Sequence, residues 1–188
     1  MRTEEEARAA VDAGADAVAF VFDPQAADHV APDEAYAIMA TLPPYVASVG
    51  VFRDPTLDEF SQIEQTCPTS LTQFEGAEAE KLVRQCGPGL IRGVAYDPGT
   101  IVQDLVAWDA MDEVDAILVD VGGAALPPGL PEALDRIDKP IILAAAFTPE
   151  TLGRAVRTLR PYGVQLAFGD GPTLGALFRA VRDGDHQA

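Results

Sequence analysis

Short apolar runs rich in β-branched residues alternate along the chain with longer stretches whose apolar residues recur at three- and four-residue spacing. The first kind predicts strands over Ala17–Phe22, Ala47–Phe52, Ser70–Phe74, Gly89–Tyr96, Ala116–Val121, Pro140–Ala145 and Val164–Phe168. The second kind predicts helices over Thr3–Ala13, Pro32–Leu42, Leu57–Gln65, Ala77–Gln85, Thr100–Met111, Pro131–Ile137, Pro149–Leu159 and Thr173–Arg182. Most of the strand runs are apolar throughout, the signature of parallel strands covered by helices on their faces. Asp54-Pro55 and Thr148-Pro149 each place a capping side chain before a proline at a helix start. Gly14, Gly87 and Gly163 stand behind helical runs as stop signals.

The count sets the fold class. Seven strands alternate with eight helices, the first element is a helix, and the repeat is about 25 residues, as in a βα unit. This is the pattern of an α/β (β/α)8 TIM barrel lacking its first strand. An open doubly wound sheet is the second choice, but no GxGxxG follows any strand. Residues 1–188 read as a single domain, with Gly122–Gly129 as its one long flexible loop.

Charge narrows the partners. Thirty Asp and Glu against thirteen Lys and Arg give a net charge of −17. Such a surface repels phosphate backbones and anionic lipid, so neither nucleic acid nor membrane is expected as a partner. No apolar run approaches 18 residues, and no basic segment leads into an apolar one, so a cytoplasmic protein is expected. Cys67 and Cys86 are too few for a disulfide framework and lack metal-ligand spacing; they read as buried thiols, with no metal and no cofactor implied. His29 and His186 have no partner pattern, and Trp108 lies among apolar residues at helical spacing, which predicts core packing.

Several stretches carry a resemblance in order along the chain: EEARAAVDAGADAVAFVFDP from Glu5, LPPYVASVGVF from Leu42, ILVD from Ile117, ILAAAFTPETL from Ile142 and LRPYGVQLAFG from Leu159. Together they resemble the phosphoribosylanthranilate isomerase family of tryptophan biosynthesis. The resemblance implies a cofactor-free Amadori rearrangement of a phosphoribosyl-amine, an aldose-to-ketose isomerisation on a sugar-phosphate substrate. That chemistry uses a general acid to open the ring, a general base to take the C2 proton, and an anchor for the phosphate. In the family the base is a cysteine in a KICG motif on the first strand, and the acid is an aspartate on the sixth. Glycine-containing loops after the last two strands hold the phosphate.

This chain matches few of those positions. Met1 aligns just after KICG, and the expectation is that the DNA upstream encodes such a strand in frame. Asp120 matches the general acid. Asp28 stands where the family has an arginine that meets the anthranilate carboxylate, and Glu75 replaces the histidine of QLHG in the local QFEG. Ala145 and Ala146 replace a glycine pair at the phosphate loop, where a Cβ hinders close backbone approach. Gly169 survives in the second phosphate loop, followed by Asp170, which adds negative charge beside the phosphate position. Three readings follow: the isomerase, strongly reduced or lost in activity; a non-catalytic binding or interaction protein on the same barrel; and an enzyme of altered substrate using Asp28, Glu75 and Asp120. The missing strand would leave open edges on Ala17–Phe22 and Val164–Phe168, through which the chain could self-associate.

Overall fold

The computed structural model describes residues 1–123, 125–168 and 171–185. Among them are eight helices and seven strands, alternating from a first helix, as the hydrophobic pattern predicts. The chain forms two compact units, Met1–Ile91 and Arg92–Ala188.

The first unit runs α1 (Glu4–Ala13), β1 (Ala17–Val21), α2 (Pro32–Met39), β2 (Ala47–Phe52), α3 (Leu57–Thr66), β3 (Leu71–Phe74), α4 (Glu80–Cys86) and the start of β4 (Leu90–Ala95). Helix α1 begins where Thr3 accepts the Glu6 N–H, and three glutamates fill the positive end of the helix dipole. It stops at Gly14, whose φ of 108° is open to glycine without steric cost. The start of α3 differs from expectation. Thr56, not Asp54, is the N-cap, and it forms a reciprocal capping box with Glu59. Asp54 instead turns into the left-handed region at φ 49°, and its carboxylate accepts the Ala77 N–H at 2.6 Å. Gly87 also differs, for it is extended ahead of Pro88 and not a left-handed stop.

Strands β1, β2 and β3 are neighbours in that order and pair in parallel. Their apolar residues carry the core of this unit. Phe22, Phe52, Phe60 and Phe74 form a tilted aromatic cluster with ring centroids 5.0–6.0 Å apart, the favoured separation for edge-to-face pairs. Gly50 lies beneath it. A Cβ there would sit 2.9 Å from the Phe52 ring and 2.8 Å from Thr69 Oγ1. The edge of β1 turned away from β2 is partly covered by the chain itself. Phe22 N–H bonds Val51 O and Ala47 N–H bonds Asp16 O, so even-numbered residues of β1 face β2. Ala19 O and Val21 O face outward and accept from the Met1 amine at 2.5 Å and the Val30 N–H at 3.0 Å. That is a standard means of blunting an exposed edge.

The second unit continues β4 and adds α5 (Ile101–Asp109), β5 (Val114–Asp120), α6 (Leu130–Leu134), β6 (Ile141–Ala144), α7 (Pro149–Leu159), β7 (Gly163–Gln165) and α8 (Gly171–Asp185). Strands β5, β6 and β7 again pair in parallel, in chain order. Helix α7 opens on a capping box of Thr148 and Thr151 with Pro149 in its first turn, as the sequence predicts. It stops on Arg160, a non-glycine residue at φ 46°, while Gly163 opens β7. Leu152 and Val156 of α7 pack on Leu177 of α8, with Phe147, Val164 and Leu166 around them. Trp108 is half-buried, not part of the core as expected, and its partner is polar: the buried Arg92 of β4 lies with its guanidinium 4.6 Å from the ring centroid.

Truncating Phe52 to Ala removes a ring that touches three others and leaves a cavity under β2. The expected loss is about 3–5 kcal/mol, read as a lower urea midpoint at unchanged slope in equilibrium unfolding.

Candidate active site

Parallel register decides which side chains meet at the carboxyl ends of the strands. Val21 pairs with Val51, and Phe52 with Phe74. Continuing those offsets brings Asp23 beside Arg53 and Arg53 beside Glu75. Arg53 Nε lies 3.6 Å from Asp23 Oδ2, and its Nη2 lies 3.2 Å from Glu75 Oε2. Its Nη1 donates to the Glu75 carbonyl at 3.1 Å. The remaining carboxylate oxygen, Glu75 Oε1, accepts from the buried Gln73 Nε2 at 2.7 Å. Glu75 is therefore held at both oxygens. Asp28, in the following loop, is exposed. Among the described residues no group of three or more His, Cys, Asp or Glu side chains is arranged to hold a metal ion.

Behind this row lies a second one. Buried Glu78 turns Oε1 back to accept the Asp54 N–H at 2.9 Å and the Gly76 N–H at 3.0 Å. A Cβ on Gly76 would meet the Asp54 carboxyl at 2.5 Å. The loops after β2 and β3 are thus locked together, and Arg53 and Glu75 project from a fixed base. Neither Arg53 nor this lock stands out in the sequence. The signal is a 22-residue offset that becomes visible only once the β2–β3 register is known.

In the second unit Asp120 ends β5 and is exposed. Its Oδ1 accepts the Gly122 N–H at 2.8 Å, and Gly122 adopts φ 68° to present that N–H. Ala145 and Ala146 follow β6, with a tight turn closed by Phe147 N–H to Ala145 O at 2.9 Å. Neither alanine has a positive φ, so this loop does not use a conformation reserved for glycine. Gly169, Asp170 and His186 lie outside the described residues.

The cysteines are placed far from acid–base duty. Cys67 caps the end of α3 and Cys86 ends α4, both buried. Burial, helped by the nearby Glu64 charge, pushes each thiol up to about 11. A thiol so raised carries almost no thiolate near neutrality.

Comparison with known proteins joins these parts. A family model described as N-(5'-phosphoribosyl)anthranilate (PRA) isomerase matches residues 1–169. The chain belongs to the phosphoribosylanthranilate isomerase family. An N-(5'-phosphoribosyl)anthranilate isomerase from Nitrosococcus oceani is 33% identical, over 94% of this chain and 92% of its own length. One from Pseudomonas fluorescens is 34% identical over 95% and 93%. The crystal structure of the Thermus thermophilus phosphoribosyl anthranilate isomerase superposes with a TM-score of 0.85 at 27% identity, covering 97% of this chain and 96% of that one. A phosphoribosyl anthranilate isomerase solved in complex with reduced 1-(o-carboxyphenylamino)-1-deoxyribulose 5-phosphate superposes at 0.83 with 25% identity, covering 97% and 95%. The fold class expected from the sequence, a TIM-barrel type with seven strands and eight helices, is thereby shown. No helix among the described residues is long and apolar enough to cross a membrane.

The raised thiols give a test of their surroundings. Both folded-state values lie above the ordinary thiol value of 9.0. Their contribution to stability is complete below pH 9 and is lost as pH rises toward 11. Disulfide-exchange labelling of the native chain near pH 8 should be slow and should turn fast on unfolding. Replacing both by Ala should flatten the fall in stability between pH 9 and 11.

Proposed function

We propose that this chain addresses the family's substrate class, a phosphoribosyl-amine bearing an aromatic carboxylate, with strongly reduced Amadori isomerase activity. The observation that carries the reading is the loop after β6, where Ala145 and Ala146 carry side chains and neither adopts the positive φ open to glycine. The family reaction, as the resemblance gives it, takes the C2 proton with a cysteine. The two thiols here are buried at helix ends and held protonated. The acid side is better supplied. Asp120 stands at the carboxyl end of β5, with Oδ1 anchored on the Gly122 N–H and Oδ2 available to pass a proton to a ring oxygen. The phosphate grip is weaker than a glycine loop provides, since Ala145 and Ala146 carry side chains where backbone amides would approach the anion. Loss of that remote grip removes binding energy otherwise available to the transition state.

The altered-carboxylate reading gains nothing from Glu75, whose two oxygens are both engaged. A weakened phosphate anchor lowers the rate through lost transition-state binding. The expected result is therefore no growth, or barely detectable growth, when the 188-residue chain replaces this isomerase in a tryptophan auxotroph. In vitro, loss of substrate fluorescence should be slow and slower still with Asp120→Asn. Robust complementation by the chain, abolished by Asp120→Asn, would establish full isomerase activity in its place.

A further inference from the structure

The basic residues are unevenly placed. Five of the thirteen Lys and Arg, Arg154, Arg157, Arg160, Arg179 and Arg182, fall within residues 154–182, where the only acidic residue is Asp170. The rest of the chain is strongly acidic. Four arginines elsewhere pair with carboxylates: Arg2 with Glu6, Arg8 with Glu4, Arg84 with Glu80, and Arg53 with Asp23 and Glu75. Arg154, Arg157 and Arg179 are exposed and have no ion-pair partner among the described residues. Arg154 and Arg157 also stand three residues apart on α7. Like charges at that spacing lie side by side and destabilise a helix.

Both arginines line a groove of about 340 Å³ between α7 and α8. Its floor is Gly153. A Cβ there would come within 3.3 Å of Arg157 Nη1 and 3.6 Å of Ala180 O, so the Arg157 head folds over a floor kept open by the missing side chain. The two acids at the rim are Glu150 and Asp183. Glu150 already accepts the Thr148 hydroxyl at 2.9 Å, at the start of α7. The volume suits a small molecule, and guanidinium forks suit an oxyanion.

We propose that the α7–α8 groove is an oxyanion site that holds a phosphate or carboxylate group of a small ligand between Arg154 and Arg157. This assignment is independent of the isomerase reading. Inorganic phosphate and citrate, titrated separately at fixed ionic strength in chloride, test it by calorimetry. Saturable one-to-one binding of at least one is expected. Arg154→Gln/Arg157→Gln should weaken it at least tenfold, while Arg8→Gln/Arg84→Gln, with the same change in net charge, should leave it intact. Phosphate alone binding would assign a phosphate ester; citrate alone, a carboxylate. Amide chemical shifts of the unmodified chain give a second reading and should move at residues 149–157 and 180–183. Absence of saturable binding by either anion overturns the assignment. So does binding that survives Arg154→Gln/Arg157→Gln, or shifts confined to the β6–α7 loop.

Discussion

Parallel pairing between successive strands is the constraint on which the rest depends. A parallel neighbour cannot be reached by a tight turn, so each strand must be followed by a crossover, and here each crossover carries a helix. Both faces of the sheet are then covered, and the strands are apolar for that reason. The same constraint places the chemistry. Segments leaving the carboxyl ends of adjacent strands emerge side by side, at a separation in sequence fixed by register. Arg53 and Glu75 are 22 residues apart and bonded, because Phe52 and Phe74 are 22 residues apart and paired. Asp54 and Gly76 repeat the offset one step further on. A shift of register by one residue would dissolve the ion pair, the lock behind it and the aromatic cluster together.

Electrostatics act on that scaffold selectively. The chain carries far more carboxylate than guanidinium, and seven of its thirty acidic residues sit in the first turns of α1, α2 and α3, where helix dipoles receive them. Carboxylates with structural duties are few and specific. Glu78 closes two loop amides, Asp109 accepts the amides of Asp138 and Lys139, and Asp54 holds Ala77. These are charge-assisted bonds to backbone, stronger than exposed ion pairs and less sensitive to salt. The stability of the loops therefore rests on amide–carboxylate contacts more than on opposite charges.

The sequence shows the elements well and the contacts poorly, for physical reasons. Strand and helix type follow from period, and each expected element is present within a few residues of its expected bounds. Asp120 is legible because it ends an apolar run, and Thr148-Pro149 because cap and proline are adjacent in sequence. Asp54-Pro55 misleads. The same local chemistry is present at Thr56 with Glu59, and Asp54 is drawn instead to Ala77, 23 residues away. The stop at Arg160 escapes notice because glycine is the usual left-handed residue, and Gly163 stands close behind it. Arg53 escapes because an ion pair across two strands leaves no local pattern. Arg92 is hidden within an apolar strand, where a buried cation is legible only beside its aromatic partner.

The Arg53–Glu75 pair also limits which side chains position 75 accepts. Glu75 neutralises Arg53 from one side while Asp23 does so from the other. Exchanging Glu75 for an uncharged side chain would withdraw one of those charges and the carboxylate that accepts from Gln73. Arg53 would then keep Asp23 as its one carboxylate among the ion pairs described. Coupling of this kind makes the order of substitutions matter, since each step alone passes through a less stable chain. Positions 53, 73 and 75 are thereby tied to one another by contact, and a change at one is felt at the other two.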